Sequence, residues 1–130
     1  MQSVNYIALL VASIVGYIIP MIWYASFLFG NAWKRLSGIK EMKPSPLVML
    51  VGFISTIVFN FIMLMLIQTA NISTFFEGAV MGGMLWLGFI ATTQLGSVLY
   101  DKKPVALYLI NTLQYLVSMA VVGGILAIWK

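Results

Sequence analysis

Apolar residues run along this chain in four long stretches separated by short polar segments. The stretches cover residues 6–29, 47–70, 75–100 and 105–129. A helix rises about 1.5 Å per residue, so about 20 residues cross the roughly 30 Å hydrocarbon core of a bilayer. Each stretch is long enough to do so. The pattern therefore predicts an all-α fold with four transmembrane helices.

The connections between the stretches predict how the helices are arranged. Only "NIST" separates the second and third stretches, and only "DKKP", residues 101–104, separates the third and fourth. Connections this short join antiparallel neighbours. We expect a single transmembrane domain over residues 1–130, folded as an antiparallel four-helix bundle with polar loops at residues 30–46 and 101–104.

The end of the first stretch contains two features that shape the backbone. Pro20 removes a backbone donor from the helix, which predicts a kink near the middle of the membrane. Phe29 and Gly30 are expected to close the span. The following "NAWKRLSG" is expected to form a short interfacial helix that ends at Gly38.

Composition narrows the class of protein. Hydrophobic residues make up 62% of the chain and charged residues only 8%, which leaves too little polar surface to cover a water-soluble domain. The chain has no Cys and no His, so thiolate chemistry, the commonest metal ligand and the commonest general base are missing. We therefore predict a non-enzymatic membrane protein with no cofactor, no metal and no nucleic-acid partner.

Basic residues predict the orientation in the membrane. Six of the seven lie in the two loops that share one end of the predicted bundle: Lys34, Arg35, Lys40, Lys43, Lys102 and Lys103. Basic loops favour the cytoplasmic side, so both termini are expected on the non-cytoplasmic side, and we expect a bacterial inner (plasma) membrane. The same loops are expected to contact anionic lipid head groups, although setting topology is their ordinary role.

Small residues recur at helical spacing and predict close helix packing. Lipid tails are as apolar as Leu, so membrane helices associate through small residues and hydrogen bonds. The third stretch carries small residues on two faces, which suits a central helix touched from both sides by its own bundle or by another copy. The predicted packing positions are Ala8, Ala12, Gly16, Gly78, Gly82, Gly83, Gly88 and Gly124.

Polar residues gather in the half of the bundle that is predicted to be cytoplasmic. The candidate cluster comprises Tyr24, Ser55, Thr56, Asn60, Thr92, Thr93, Gln94, Asn111 and Gln114. These side chains either line a polar pocket or bond one another between helices. We favour bonding between helices, because four helices leave little interior volume.

Glu77 is the one acidic residue at the opposite end of the bundle. Alone, it suggests a cation or proton site. Thr74 and Glu77 also have the spacing of a capping box, in which the two residues satisfy the first backbone donors of a helix. The capping role is the interpretation that we prefer.

Longer segments resemble a known family. "WYASFLFGNAW", "WLGFIAT", "YLIN" and "GGILAIW" are similar to the small four-span membrane proteins called domain of unknown function 1761. The resemblance covers the whole chain and implies the same fold, with family-motif positions at Trp23, Tyr24, Phe29, Gly30, Trp33, Trp86 and Asn111. The chain departs from the family at Ala25-Ser26, where Ser-Pro is preferred, and at Tyr115, where many members carry His.

Two functions fit this sequence. The leading hypothesis is a homo-oligomer or an accessory, structural subunit of a membrane assembly, supported by the missing catalytic groups and the small-residue faces of the third stretch. The alternative is a channel, transporter or binding protein for a small neutral solute or lipid, which would use the polar cluster. The family resemblance leaves the activity open.

Overall fold

The computed structural model describes residues 4–39 and 45–129, and that part of the chain is all-α. Four of its five helices are long and apolar enough to cross a membrane, as predicted. The basic residues Lys40, Lys43 and Lys130 lie outside the described residues. The helices are α1 (Tyr6–Trp23), α2 (Gly30–Ser37), α3 (Pro46–Thr69), α4 (Phe75–Leu99) and α5 (Val105–Ile128).

Hydrogen bonds between the long helices give their relative directions. The bonded pairs are Ser13 with Asn60 and Tyr17 with Met49 between α1 and α3, and Trp86 with Thr112 and Ala91 with Tyr108 between α4 and α5. For α1 with α3 and for α4 with α5, the residue number rises along one helix as that of the bonded partner falls along the other. Each of these helix pairs is therefore antiparallel.

The first span is shorter than the sequence predicts. We expected a helix over residues 6–29, but α1 ends at Trp23 and residues 24–29 form turns. Pro20 falls in the last turn of α1, where its missing N–H weakens the helix. The kink expected at Pro20 stays a prediction. Gly30 lets the chain fold back tightly, because a Cβ there would overlap the Tyr24 carbonyl.

The short helix after this turn follows the prediction. α2 carries Lys34 and Arg35 in its last turn and ends at Gly38. Gly38 has a φ of 79°, a left-handed conformation that ends helices and that glycine adopts without a Cβ clash. The Gly38 amide donates to the Lys34 carbonyl over 3.0 Å and closes the helix.

The third span, α4, is not a uniform α-helix. A π-helical segment, Trp86–Ala91, interrupts it about halfway along. The wider turn weakens the regular backbone ladder, and hydroxyl groups bond carbonyls of this segment. Thr92 donates to the Gly88 carbonyl over 2.7 Å, and Tyr108 of α5 donates to the Ala91 carbonyl over 2.6 Å.

The last span, α5, is the centre of the bundle. In the most apolar 18-residue segment of each helix, 39% of the residues are buried in α5 but only 11% in α4. Within its own bundle the third span is therefore not central: α5 contacts α1, α3 and α4, whereas α3 and α4 barely meet. Contact of the third span with another copy stays a prediction. The main core comprises Ala12, Met63, Leu64, Ile67, Met119, Val122, Leu126 and Ala127.

Small residues hold α4 against α5 at one end. A Cβ at Gly78 would overlap the Gly123 carbonyl, and one at Gly82 would overlap the Met119 carbonyl. A Cβ at Gly124 would lie 2.5 Å from the Phe75 ring. These glycines let the two backbones approach closely, as small residues do in membrane bundles.

The other predicted packing positions divide into two groups. On α1, Ala8 and Ala12 are fully buried, and a Cβ at Gly16 would lie 3.2 Å from Val122. On the second face of α4, a Cβ at Gly83 would first meet a side chain at 3.9 Å, and one at Gly88 would meet nothing within 4 Å. Gly83 and Gly88 therefore make no close helix contact in the described part of this chain.

Candidate ligand-binding cavity

In the half of the bundle that contains α2, an open cavity of about 510 Å³ with polar groups in its wall lies between α1, α3, α4 and α5. This volume is within the range of about 300–1,000 Å³ that is usual for small-molecule sites. Among the described residues that line it, none is charged. Its polar side chains are Tyr17, Tyr24, Ser55, Thr56, Asn60, Gln94, Gln114, Tyr115 and Ser118.

A second space of about 360 Å³ lies beside the polar cavity and includes α2 in its wall. Tyr24, Gln94 and Tyr115 line both spaces, so the two are adjacent. Trp33, Asn111 and Thr112 complete the lining of the smaller space. The bundle therefore leaves more open volume between its helices than we expected when we favoured bonding between helices over a pocket.

Aromatic residues at the end of α1 fix the wall nearest to α2. The Trp23 indole N–H donates to the Ile110 carbonyl over 2.9 Å, and the Tyr24 hydroxyl donates to Asn111 Oδ1 over 2.8 Å. The Trp33 ring lies 5.9 Å from the Tyr24 ring in an edge-on arrangement. Family-motif positions that are distant in the sequence thus form one bonded corner.

A third tryptophan, Trp86, anchors α5 from its other side. Its indole N–H donates to the Thr112 carbonyl over 2.6 Å, two residues along α5 from the carbonyl that Trp23 reaches. Phe29 packs on the Trp23 ring with centroids 4.6 Å apart. These contacts give the family-motif aromatic residues a positioning role around α5.

Several polar side chains in the cavity wall are satisfied within the protein. Asn60 donates to the Ser13 hydroxyl over 3.2 Å and joins α3 to α1, and Gln114 donates to the Ser118 hydroxyl over 2.9 Å within α5. Thr56 donates to the carbonyl one turn before it. Bonding between helices, the interpretation that we favoured from the sequence, applies to Asn60 and to the Tyr24–Asn111 pair.

Three other polar side chains have no such partner. Within residues 4–39 and 45–129, Ser55 of α3, Gln94 of α4 and Tyr115 of α5 form no side-chain hydrogen bond; all three are exposed and line the open cavity. A polar group at membrane depth needs a partner, because no bulk water is present to replace one. These three groups can donate and accept hydrogen bonds to a molecule in the cavity.

Two residues of the predicted cluster lie elsewhere. Thr92 and Thr93 are exposed and line neither cavity. Their hydroxyls donate to the carbonyls of Gly88 and Phe89, four residues earlier in the same helix. They satisfy the π-helical segment, a requirement that polarity and depth in the sequence do not reveal.

Tyr17 and Tyr115 were left out of the cluster predicted from the sequence. Tyr115 carried a signal, because it is four residues after Asn111 and three before Ser118, which puts all three on one helix face. Tyr17 carried none, since nothing in its neighbourhood indicates that it would reach α3. There its hydroxyl donates to the Met49 carbonyl over 3.2 Å.

Charged groups separate to the two ends of the molecule. Lys34 and Arg35 on α2 and Lys102 and Lys103 before α5 share the end nearest the cavity, whereas Glu77 lies at the opposite end.

The Thr74 hydroxyl accepts from the Glu77 amide over 3.2 Å and donates to the Glu77 carboxylate over 2.8 Å. The carboxylate thus bonds the hydroxyl, where the capping-box prediction has it bond the amide of Thr74. No group of three potential acidic, His or Cys metal ligands occurs in the described ranges.

Comparison with known proteins identifies the family. The comparisons with curated proteins and with solved structures give no match. The model of a family described as "protein of unknown function (DUF1761)" matches residues 7–127. This span includes the four long helices except their outermost residues, Tyr6 and Ile128, and every family-motif position, so the resemblance noted in the sequence is confirmed. The chain therefore belongs to the DUF1761 family.

Proposed function

We propose that this protein binds a small uncharged molecule in its polar cavity. The observation that carries the proposal is the convergence of Ser55, Gln94 and Tyr115, from three different helices, on one cavity without a protein partner. Unpaired polar groups at membrane depth are costly, so a ligand or water that bonds them stabilises the bundle.

The chemistry of the lining indicates the class of ligand. Because no described lining residue is charged, a phosphate or ammonium group would lack a counter-ion in the cavity. Hydroxyl and amide groups instead suit ligands that carry hydroxyl, carbonyl or amide groups. We propose binding or passage rather than catalysis, since these side chains provide no nucleophile paired with a base.

The direct test weighs the protein after extraction in native lipid. Native mass spectrometry of the wild type should show a bound small molecule, and the double variant Gln94→Leu with Tyr115→Phe should lose it. The matched control is Thr69→Val with Tyr100→Phe, which changes one exposed polar residue of α3 and one next to the end of α4, both outside the cavity. Equal retention of the bound mass by both variants would refute the proposal.

Assembly with other chains is the second candidate function. It is supported by α4, where an added Cβ at Gly88 would meet nothing within 4 Å in the described chain and where the helix is the least buried of the four spans. The partner would be a second copy or another membrane subunit. The same mass measurement tests it: a monomer with no reproducible partner would argue against assembly.

A further inference from the structure

An apolar groove of about 360 Å³ runs between α3 and α4, where these two helices barely touch. Its floor is buried, since Met63 and Met119 are only 2% and 3% exposed. Its rims, at Ile62 and Phe89, are more than half exposed and face the surroundings of the bundle. The full lining is Phe59, Ile62, Met63, Leu66, Leu85, Phe89, Ile90 and Met119.

The groove borders the polar cavity. Phe59, Ile90 and Met119 line both spaces, one residue from each of three helices. On each of the three helices, a polar side chain without a hydrogen-bond partner lies four residues from the shared apolar residue. It is on the same helix face and nearer to the basic end. The pairs are Phe59 with Ser55, Ile90 with Gln94, and Met119 with Tyr115. Apolar lining therefore changes to polar lining within one turn on all three helices.

We propose that these two adjoining spaces together hold one uncharged, single-chain amphiphile that enters from the bilayer. Its hydroxyl-bearing head bonds Ser55, Gln94 and Tyr115, and its acyl chain lies in the groove between α3 and α4. This inference rests on the proposed function and specifies its ligand. The described lining residues of both spaces carry no charge, which selects a neutral head such as that of a monoacylglycerol.

A helix of a second copy fits the same groove less well. A helix is about 10 Å across with its side chains, so it would lie along the rims and leave the polar cavity beneath it unfilled. An acyl chain with a small polar head reaches both parts. One molecule would then fill the groove with its chain and bond the polar groups with its head.

The test uses the whole chain in phosphatidylcholine vesicles and a monoacylglycerol with a photoreactive diazirine on its acyl chain. Labelling that an excess of unlabelled monoacylglycerol suppresses reports the specific site, because general labelling of the lipid-facing surface is not suppressed. We expect specific labels within residues 59–66 and 85–90. Labels spread evenly over the other spans would overturn the proposal.

Two variants of α3 test whether the acyl chain lies in the groove. Ile62→Trp narrows the groove, and Val58→Trp adds the same bulk one turn away at a position that does not line it; the two residues are 54% and 57% exposed. We expect Ile62→Trp to reduce specific labelling about tenfold, as blocked burial of two or more methylene groups implies, and Val58→Trp to leave it unchanged. Equal labelling of the two variants would overturn the acyl-chain site.

The outcome is separable from that of the proposed function. If Gln94→Leu with Tyr115→Phe removes the bound mass while Ile62→Trp labels like the wild type, the polar cavity binds a ligand but the groove does not hold its chain. If neither variant changes bound mass or labelling, both proposals fail. A crosslinked dimer through the rims, in place of lipid labels, would assign the groove to a second copy and overturn the inference.

Discussion

Tyr24 shows how a single side chain can join parts of the molecule that are distant in the sequence. It follows the last residue of α1, bonds Asn111 of α5, and packs its ring against Trp33 of α2. A hydrogen bond of this kind is worth about 0.6 kcal/mol on average in a membrane protein. Its larger effect is to fix the cavity wall, since Tyr24 lines both spaces.

Two glycines of α4 give a matched residue-scale prediction. Gly78→Ala places a methyl group where the Gly123 carbonyl lies, so we expect a loss of about 1–3 kcal/mol in the free energy of unfolding, as for overpacked cores. Gly88→Ala meets nothing within 4 Å and should be neutral or slightly stabilising. Unfolding measurements on both variants in the same detergent provide the comparison.

The same pair of glycines also separates packing within the chain from packing between chains. If Gly88 lies against a second copy, Gly88→Ala should lower the oligomer fraction without destabilising the monomer. A Gly78→Ala protein as stable as the wild type would contradict the close approach of α4 to α5.

Residue-scale prediction from the sequence succeeds where one helix determines the answer. The Thr74 cap and the left-handed Gly38 depend on neighbours a few residues away, and the structure has both. Gln94 and Thr93 are adjacent and similarly polar, yet only Gln94 lines the cavities. Their difference depends on the rotation of α4 after its π-helical segment, which no local pattern specifies.

At the scale of one element, the π-helical segment Trp86–Ala91 determines to which side of the helix the residues after it in α4 point. A π-bulge contains one residue more than the regular helix needs. That extra residue rotates the next turns by about 100°, the angle between successive residues of an α-helix. Gln94 comes three residues after the segment and therefore depends on it for its position in the cavity.

Deleting Gly88 tests this dependence. The deletion should restore a regular helix, turn Gln94 away from the cavity and abolish the bound mass as Gln94→Leu with Tyr115→Phe does, while circular dichroism stays helical. Gly88 is suited to the experiment because it is exposed and has no close neighbour. Gly88→Ala is the control, since it keeps the residue count and should keep the ligand. Full ligand retention after the deletion would show that the π-helical segment does not position Gln94.

For the whole molecule, hydropathy predicts the number of spans, and the structure has four. Hydropathy cannot rank them by position in the bundle, because membrane helices are apolar on every face. The small residues of α4 suggested a central helix, but only the face with Gly78 and Gly82 packs closely, and it packs against α5. The cavity arises from that same arrangement, since α5 carries Tyr115 into the space that α3 and α4 leave between them.

Orientation in the membrane gives the last prediction. Every Lys and Arg in the described ranges lies at the end that contains α2, so we expect this end in the cytoplasm and both termini outside. The chain has no Cys, so single cysteines report each end cleanly. Ile39→Cys and Ser73→Cys replace exposed residues at opposite ends. A membrane-impermeant maleimide applied to intact bacterial cells should label Ser73→Cys at once and Ile39→Cys only after permeabilisation. The reverse pattern would place the cavity in the outer half of the membrane, and its ligand would then be drawn from the outer leaflet.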